Sequence, residues 1–124
     1  MLFGCTYLMA PPQSELRHLY VVISHCEEVT EKVLLVNFTT YKPNVGQEEL
    51  CIIEPGEHPF VVRTTVVNYS DALEPITNDI HTAAATSVIR QMEKITPELL
   101  TRIQEGAKAS KALPKKFRKY FEKF

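Results

Sequence analysis

Residues 32–38, KVLLVNF, are apolar almost without a break. A strand that shows no alternation between apolar and polar positions is one that is covered on both faces. Residues 19–24, LYVVIS, form a second such run, rich in β-branched and aromatic residues that suit a pleated, packed surface. The polar stretch His25–Thr30 between them reads as a turn. Two interior strands of this kind require a sheet around them, and the front half of the chain supplies the other members. Leu2–Met9 predicts a first strand, stopped by Pro11 and Pro12. Leu50–Ile53 predicts a short strand and Phe60–Val67 a longer one. Between these two, Glu54-Pro55-Gly56-Glu57 carries Pro then Gly at the central positions of a type II turn. Short strands punctuated at this interval predict a small barrel or sandwich.

The back half changes character. Leu73–Asp79 reads as a loop, and Ala83–Ile95 as a helix with Val88, Ile89 and Met92 at three- and four-residue spacing. Thr96-Pro97-Glu98 is a helix start, a hydroxyl cap followed by proline at the first helical position. Leu99, Leu100 and Ile103 form its apolar face and Gly106 a plausible end. Pro114 opens a last segment whose Phe117, Tyr120, Phe121 and Phe124 share one face, docking on the body of the protein or on a partner. The fold class is α+β, mainly β. The predicted organisation is a barrel domain with its closing helix over 1–106 and a basic helical tail over 107–124.

With 124 residues, 44% hydrophobic and 23% charged, the chain has material for one core and does not have the composition of a disordered protein. Its apolar runs are far too short to cross a bilayer. The N-terminal stretch lacks a basic start, so neither a signal peptide nor a membrane association is expected. Three cysteines (Cys5, Cys26, Cys51) without CxxC spacing fit reduced thiols in a cytoplasmic protein, each buried as a small hydrophobe. Charge is uneven. Residues 107–124 hold seven basic residues against one acid, so the tail is about +6 and the rest about −7 in a chain of net charge −1. Such a tail suits a polyanion, an acidic partner or a solvated helix.

The order of elements resembles the PemK/MazF-like toxins, small SH3-like barrels of bacterial toxin–antitoxin systems. Gly4 and Tyr7 fit their early strand, Pro11 and Pro12 their loop, Val21-Val22-Ile23-Ser24 their second strand, and Val36-Asn37-Phe38-Thr39-Thr40 their third. The resemblance spans roughly residues 4–105. It implies a homodimeric endoribonuclease that cleaves single-stranded RNA without metal or cofactor and is neutralised by an antitoxin protein. The family places an arginine before the second strand and a threonine or serine at the end of the third. Thr39 falls on the latter position. Counted back without a gap from Val22-Ile23-Ser24, the arginine position falls on His18, with Arg17 one residue earlier.

Cleavage by attack of a 2′-hydroxyl needs a base, an acid for the leaving oxygen, and donors for the phosphate. The candidate catalytic residues are His18 as base or acid, Arg17 as phosphate clamp and Thr39 as hydrogen-bond donor. Thr40, Tyr41, Lys42 and His58 are candidate RNA contacts. Tyr41 and Lys42 open a polar loop reaching to Glu49, where an aromatic ring and a cation suit a base and a phosphate. His58 has a second reading, as a ring that hydrogen-bonds its own turn in Gly56-Glu57-His58-Pro59-Phe60. The histidines lack metal-ligand spacing. The alternative to an enzyme is a non-catalytic barrel that binds a protein or peptide, in the manner of gyrase inhibitors.

Overall fold

The computed structural model describes residues 2–10 and 16–121. Six strands form one antiparallel sheet: β1 (Thr6–Met9), β2 (His18–Val22), β3 (Leu35–Thr40), β4 (Ile52–Ile53), β5 (Thr65–Leu73) and β6 (Arg90–Met92). Their spatial order is β4-β5-β3-β2-β1-β6. The two uninterrupted apolar runs supply the central part of this order. Leu19 to Ile23 and Leu34 to Val36 are all 0% exposed, so both faces of the sheet are covered there.

Alternation sorts these residues onto two faces. Leu19, Val21, Ile23, Leu34, Val36 and Phe38 face a cluster completed by α2 (Pro97–Ala109) and a 3₁₀ helix (Lys115–Phe121). Tyr20, Val22 and Leu35 face a smaller cluster closed by Ile80 of α1 (Thr77–Ala85). The architecture is therefore helix, sheet, helix. The sheet does not close into the barrel that the sequence suggests: β4 and β6 remain as its two edges. Helices cover both faces, so the sheet has no need to fold over on itself, and β4 is only two residues long and pairs only with Thr65 and Val66.

The helix start at Thr96 is as expected, with Leu99 N–H donating to Thr96 Oγ1 at 3.2 Å and Pro97 in the first turn. The turn at 54–57 also forms. Gly56 has φ 98°, and Glu57 N–H donates to Glu54 O at 3.2 Å. Three expectations are corrected. The strand placed at Phe60–Val67 instead begins at Thr65 and runs on through Leu73. The helix placed at Ala83–Ile95 instead begins at Thr77, in the stretch expected to be a loop, and ends at Ala85. Ser87 adopts φ 62° beyond that end, Val88 is 67% exposed, and Arg90–Met92 pairs with Thr6–Leu8 as an edge strand. Pairing with β1 offers residues 90–92 a full set of backbone partners, which overrides a weak helical periodicity. Finally, α2 does not stop at Gly106. The glycine sits mid-helix because the Tyr69 ring lies where a Cβ would be, with its hydroxyl donating to Ile103 O at 2.7 Å.

The predicted tail packs on the body. Leu113, Phe117 and Tyr120 belong to the same buried cluster as β2 and β3, with Phe121 packed against it. Phe124 lies outside the described residues, as do Pro11 and Pro12. Part of the basic surplus is held in place: Arg118 donates to Lys108 O at 3.0 Å and to Ser110 O, and Lys119 lies 3.4 Å from Glu74 and 3.7 Å from Glu27. Tyr120 donates to Glu74 at 2.8 Å. Of the cysteines, Cys5 and Cys51 are buried but Cys26 is exposed, contrary to expectation, and none of the three is in a disulfide. Among the described residues no helix is long and apolar enough to cross a membrane.

Gly106→Ala should lower stability by about 1–3 kcal/mol through overpacking against Tyr69, although alanine is the better helix former. A urea midpoint that stays or rises would remove this account of the glycine. Two carboxylates add a pH dependence. The Glu54 backbone N–H, and then Arg102, hold Glu57 below its usual range against the effect of burial. At Glu74 burial opposes the charge, but Tyr120, Lys119 and Lys32 outweigh it and the carboxyl is again lowered. Groups whose folded pKa is depressed contribute stability above the unfolded value, about 4.3 for glutamate, and lose it as pH falls through the folded value. Denaturation midpoints should drop below about pH 4.3, and Glu74→Gln should flatten that drop.

Candidate active site

The hairpin between β2 and β3 runs Val22 against Leu35 and Tyr20 against Asn37. Continued towards the open end, the register brings His18, at the start of β2, level with Thr39 near the end of β3. Here the two strands border a cavity of about 420 Å³. Arg17, His18, Thr39 and Thr40 line it, so four of the residues singled out in the sequence come together. Thr65, at the start of β5, completes the strand-end rim. The far wall comes from the segment before β5: Phe60, Val62 and Arg63.

His18 is half-buried, and its Nδ1 lies 3.2 Å from Phe38 O. A carbonyl can only accept, so in the neutral ring Nδ1 carries the proton and Nε2 keeps its lone pair. The backbone of β3 thus fixes the tautomer of a histidine at the mouth of the groove. Arg17 and Arg63 are both exposed, and neither forms an ion pair among the described residues. The groove therefore combines an oriented imidazole, two unneutralised guanidinium groups, threonine hydroxyls and the half-exposed ring of Phe60. Such a set can take a proton, hold a phosphate and stack on a base.

The other candidates are placed elsewhere. His58 is 3% exposed, with both ring nitrogens engaged: Phe60 N–H donates to Nδ1 at 3.0 Å, and Nε2–H donates to Glu93 O. Its place is structural, and it joins the far wall of the groove to the end of β6 rather than facing the cavity. Tyr41 N–H donates to Thr64 O at 3.0 Å and Lys42 N–H to Gln47 Oε1 at 2.7 Å. Both residues leave the strand end beside the groove without lining it. Partial burial, then the Glu49 carboxylate, raises the Tyr41 hydroxyl above its ordinary value. Among the described residues no three His, Cys, Asp or Glu side chains gather in a way that could hold a metal ion.

Besides Leu16 and Thr65, the groove residues not singled out in the sequence are those of its far wall, Phe60, Val62 and Arg63. Their stretch reads as a strand, and strand periodicity gives no reason for Val62 to be 75% exposed. The available signal was Arg63 itself, the one charge in the run PFVVRTTVV.

The chain matches no family model, no curated protein and no solved structure. What the groove does has to be argued from its own chemistry.

The contrast between the two histidines gives a direct measurement. His58→Ala removes a buried ring and the partner of two part-buried backbone groups, and should cost about 1–3 kcal/mol in a denaturation experiment. His18→Ala, at a half-exposed position, should change stability by less than about 1 kcal/mol. Equal losses would contradict the division into a structural and a groove histidine.

Proposed function

We propose that the groove binds single-stranded RNA and cleaves it by attack of a 2′-hydroxyl on the adjacent phosphate, without a metal. The observation that carries this reading is His18, with its Nδ1–H held by Phe38 O and its lone-pair nitrogen in one groove with two arginines that have no ion-pair partner among the described residues. In this reaction Nε2 of His18 takes the proton from the 2′-oxygen, which forms a bond to phosphorus as the bond to the 5′-oxygen breaks. Arg17 and Arg63 hold the charge that develops on the phosphate oxygens, and the Thr39 hydroxyl donates a further hydrogen bond. Water in the open groove protonates the departing 5′-oxygen. The products are a 2′,3′-cyclic phosphate and a free 5′-hydroxyl.

The resemblance to PemK/MazF-like toxins supports the same reading, because Thr39 falls on their strand-end threonine. In this proposal the open sheet is a variant of their SH3-like barrel, the protein acts as a homodimer, and an antitoxin protein covers the groove. His18 stands in the place of the family arginine, with Arg17 and Arg63 supplying the cations.

Incubation with a long single-stranded RNA in EDTA tests the proposal. Discrete cleavage should persist, and His18→Ala should lower its rate by about 10²–10⁴-fold with the fold intact. A single 2′-deoxyribose at the cleaved position should block cutting there. Intact RNA with the wild-type protein, or full activity in His18→Ala, rejects the mechanism.

One observation favours the non-catalytic alternative. The groove rim exposes apolar side chains, with Leu16 at 73%, Val62 at 75% and Phe60 at 38%, and exposed apolar patches mark protein interfaces. Intact RNA together with a stoichiometric protein partner, lost in Val62→Asp, would establish that reading. The aromatic residues of the tail offer it no support, since Phe117 and Tyr120 are buried.

A further inference from the structure

Thr39 lines a second cavity as well. This space, about 350 Å³, lies along the outer side of β5, where β4 has ended. Val45, Gln47 and Glu48 border it on one side, and Asn68 and Ser70 on the other. Thr39 borders both cavities, so the two lie next to each other at the end of β3.

Their chemistry differs. The first carries Arg17, His18 and Arg63. No lysine, arginine or histidine lines the second. Its one acid, Glu48, is already committed: it accepts from Ser110 Oγ at 2.5 Å, Lys111 N–H at 2.8 Å and Ala112 N–H at 3.3 Å. The second cavity therefore has no group to neutralise a phosphate. What it offers is hydroxyls, amides and an apolar lip at Val45, which is 60% exposed.

The backbone makes this space deliberately. Between the pairs Asn37–Asn68 and Leu35–Leu73, β5 advances five residues while β3 advances two. The extra residues bulge from the ladder, a device that re-aims side chains at the edge of a sheet. Asn68 holds the bulge, accepting from Ser70 N–H at 3.2 Å and Ser70 Oγ at 2.6 Å and donating to Asp71 at 2.9 Å. On the opposite rim, Gln47 fixes the base of the loop by accepting from Lys42 N–H at 2.7 Å and donating to Thr40 O at 3.0 Å. Beside Asn68, the Asn37 amide and the Tyr20 hydroxyl are buried against each other, with no partner beyond that contact. The face that carries Thr39 and Asn68 thus holds more hydrogen-bonding capacity than the fold consumes.

We propose that this second cavity seats a nucleobase of the strand whose phosphate lies between Arg17 and Arg63, and that it sets the base preference of the protein. The inference rests on the RNA reading above. A neutral cavity of amides and hydroxyls beside a cationic one matches the alternation of base and phosphate along a single strand. The loop tip at Val45 supplies the apolar contact, and the second Nδ2–H of Asn68 together with the lone pairs of Ser70 Oγ, which the bulge leaves unused, supply the hydrogen bonds to the base edge.

Fluorescence anisotropy of the full chain with labelled oligodeoxyadenylate, oligodeoxycytidylate and oligodeoxythymidylate tests this, since deoxy strands bind but cannot be cut. The wild-type protein should prefer one homopolymer by about five- to a hundredfold. Asn68→Ala and, independently, Val45→Ser at the exposed loop tip should each reduce that preference to less than about threefold. Arg63→Ala should weaken all three strands alike. Equal wild-type affinities, or a preference that survives both Asn68→Ala and Val45→Ser, overturns the base seat and leaves the RNA groove standing. No binding of any strand overturns both.

Discussion

Everything in this fold follows from the burial of β2 and β3 on both faces. A sheet whose middle strands are apolar on both sides needs two covers, and burial of each large aliphatic side chain is worth about 1.5–3 kcal/mol. Helix α2 and the 3₁₀ helix cover one face, and α1 the other. The two covers are unequal. Helix α1 has one buried residue, Ile80, whereas α2 buries Leu99, Leu100, Ile103, Gly106 and Ala107. On the weakly covered side the polar pair Tyr20 and Asn37 is buried with no partner beyond each other, and Thr39 reaches the open end. The candidate site lies where the cover stops.

The groove itself is a product of antiparallel pairing. Strand β2 starts where β3 ends, so residues about twenty positions apart in sequence become neighbours, and the Phe38 carbonyl reaches His18 across the ladder. The imidazole is oriented by backbone rather than by another side chain, and that contact fixes its tautomer. The far wall depends on a different histidine. His58 draws Phe60 N–H and Glu93 O into one hydrogen-bonded unit, which positions the chain leading to Arg63. One histidine faces the groove and the other builds it. Composition alone gives no way to divide these roles.

Close packing also decides where α2 meets the sheet. Tyr69 extends from β5 to the carbonyl of Ile103, and Gly106 makes room for its ring. A glycine inside a helix costs about 1 kcal/mol against alanine, and here it is offset by a buried hydrogen bond and by direct contact between helix and strand. The C-terminal segment is anchored in the same manner: Glu48 accepts the backbone N–H groups of residues 111 and 112 while Tyr120 and Lys119 meet Glu74. A tail that looks like a free polycation in sequence is therefore part of the core.

The sequence by itself determined the elements whose causes are local. Uninterrupted apolar runs specified β2 and β3, Thr96-Pro97 the start of α2, and Pro55-Gly56 the turn, because periodicity, capping and allowed φ act over a few residues. Through the resemblance and the meeting of neighbouring strand ends, it also pointed to Arg17, His18 and Thr39 as a cluster. Tertiary structure decided the rest. It turned residues 90–92 into an edge strand because β1 offered unpaired backbone, and it kept Gly106 inside a helix because Tyr69 needed the space. It buried His58 by joining its own turn, at Phe60 N–H, to the distant Glu93 carbonyl, and brought Arg63 to the groove from a segment with no local signal. It also left the sheet open, because helices from the back half cover both faces. Each of these outcomes depends on partners remote in the chain, and no short window of sequence contains both partners.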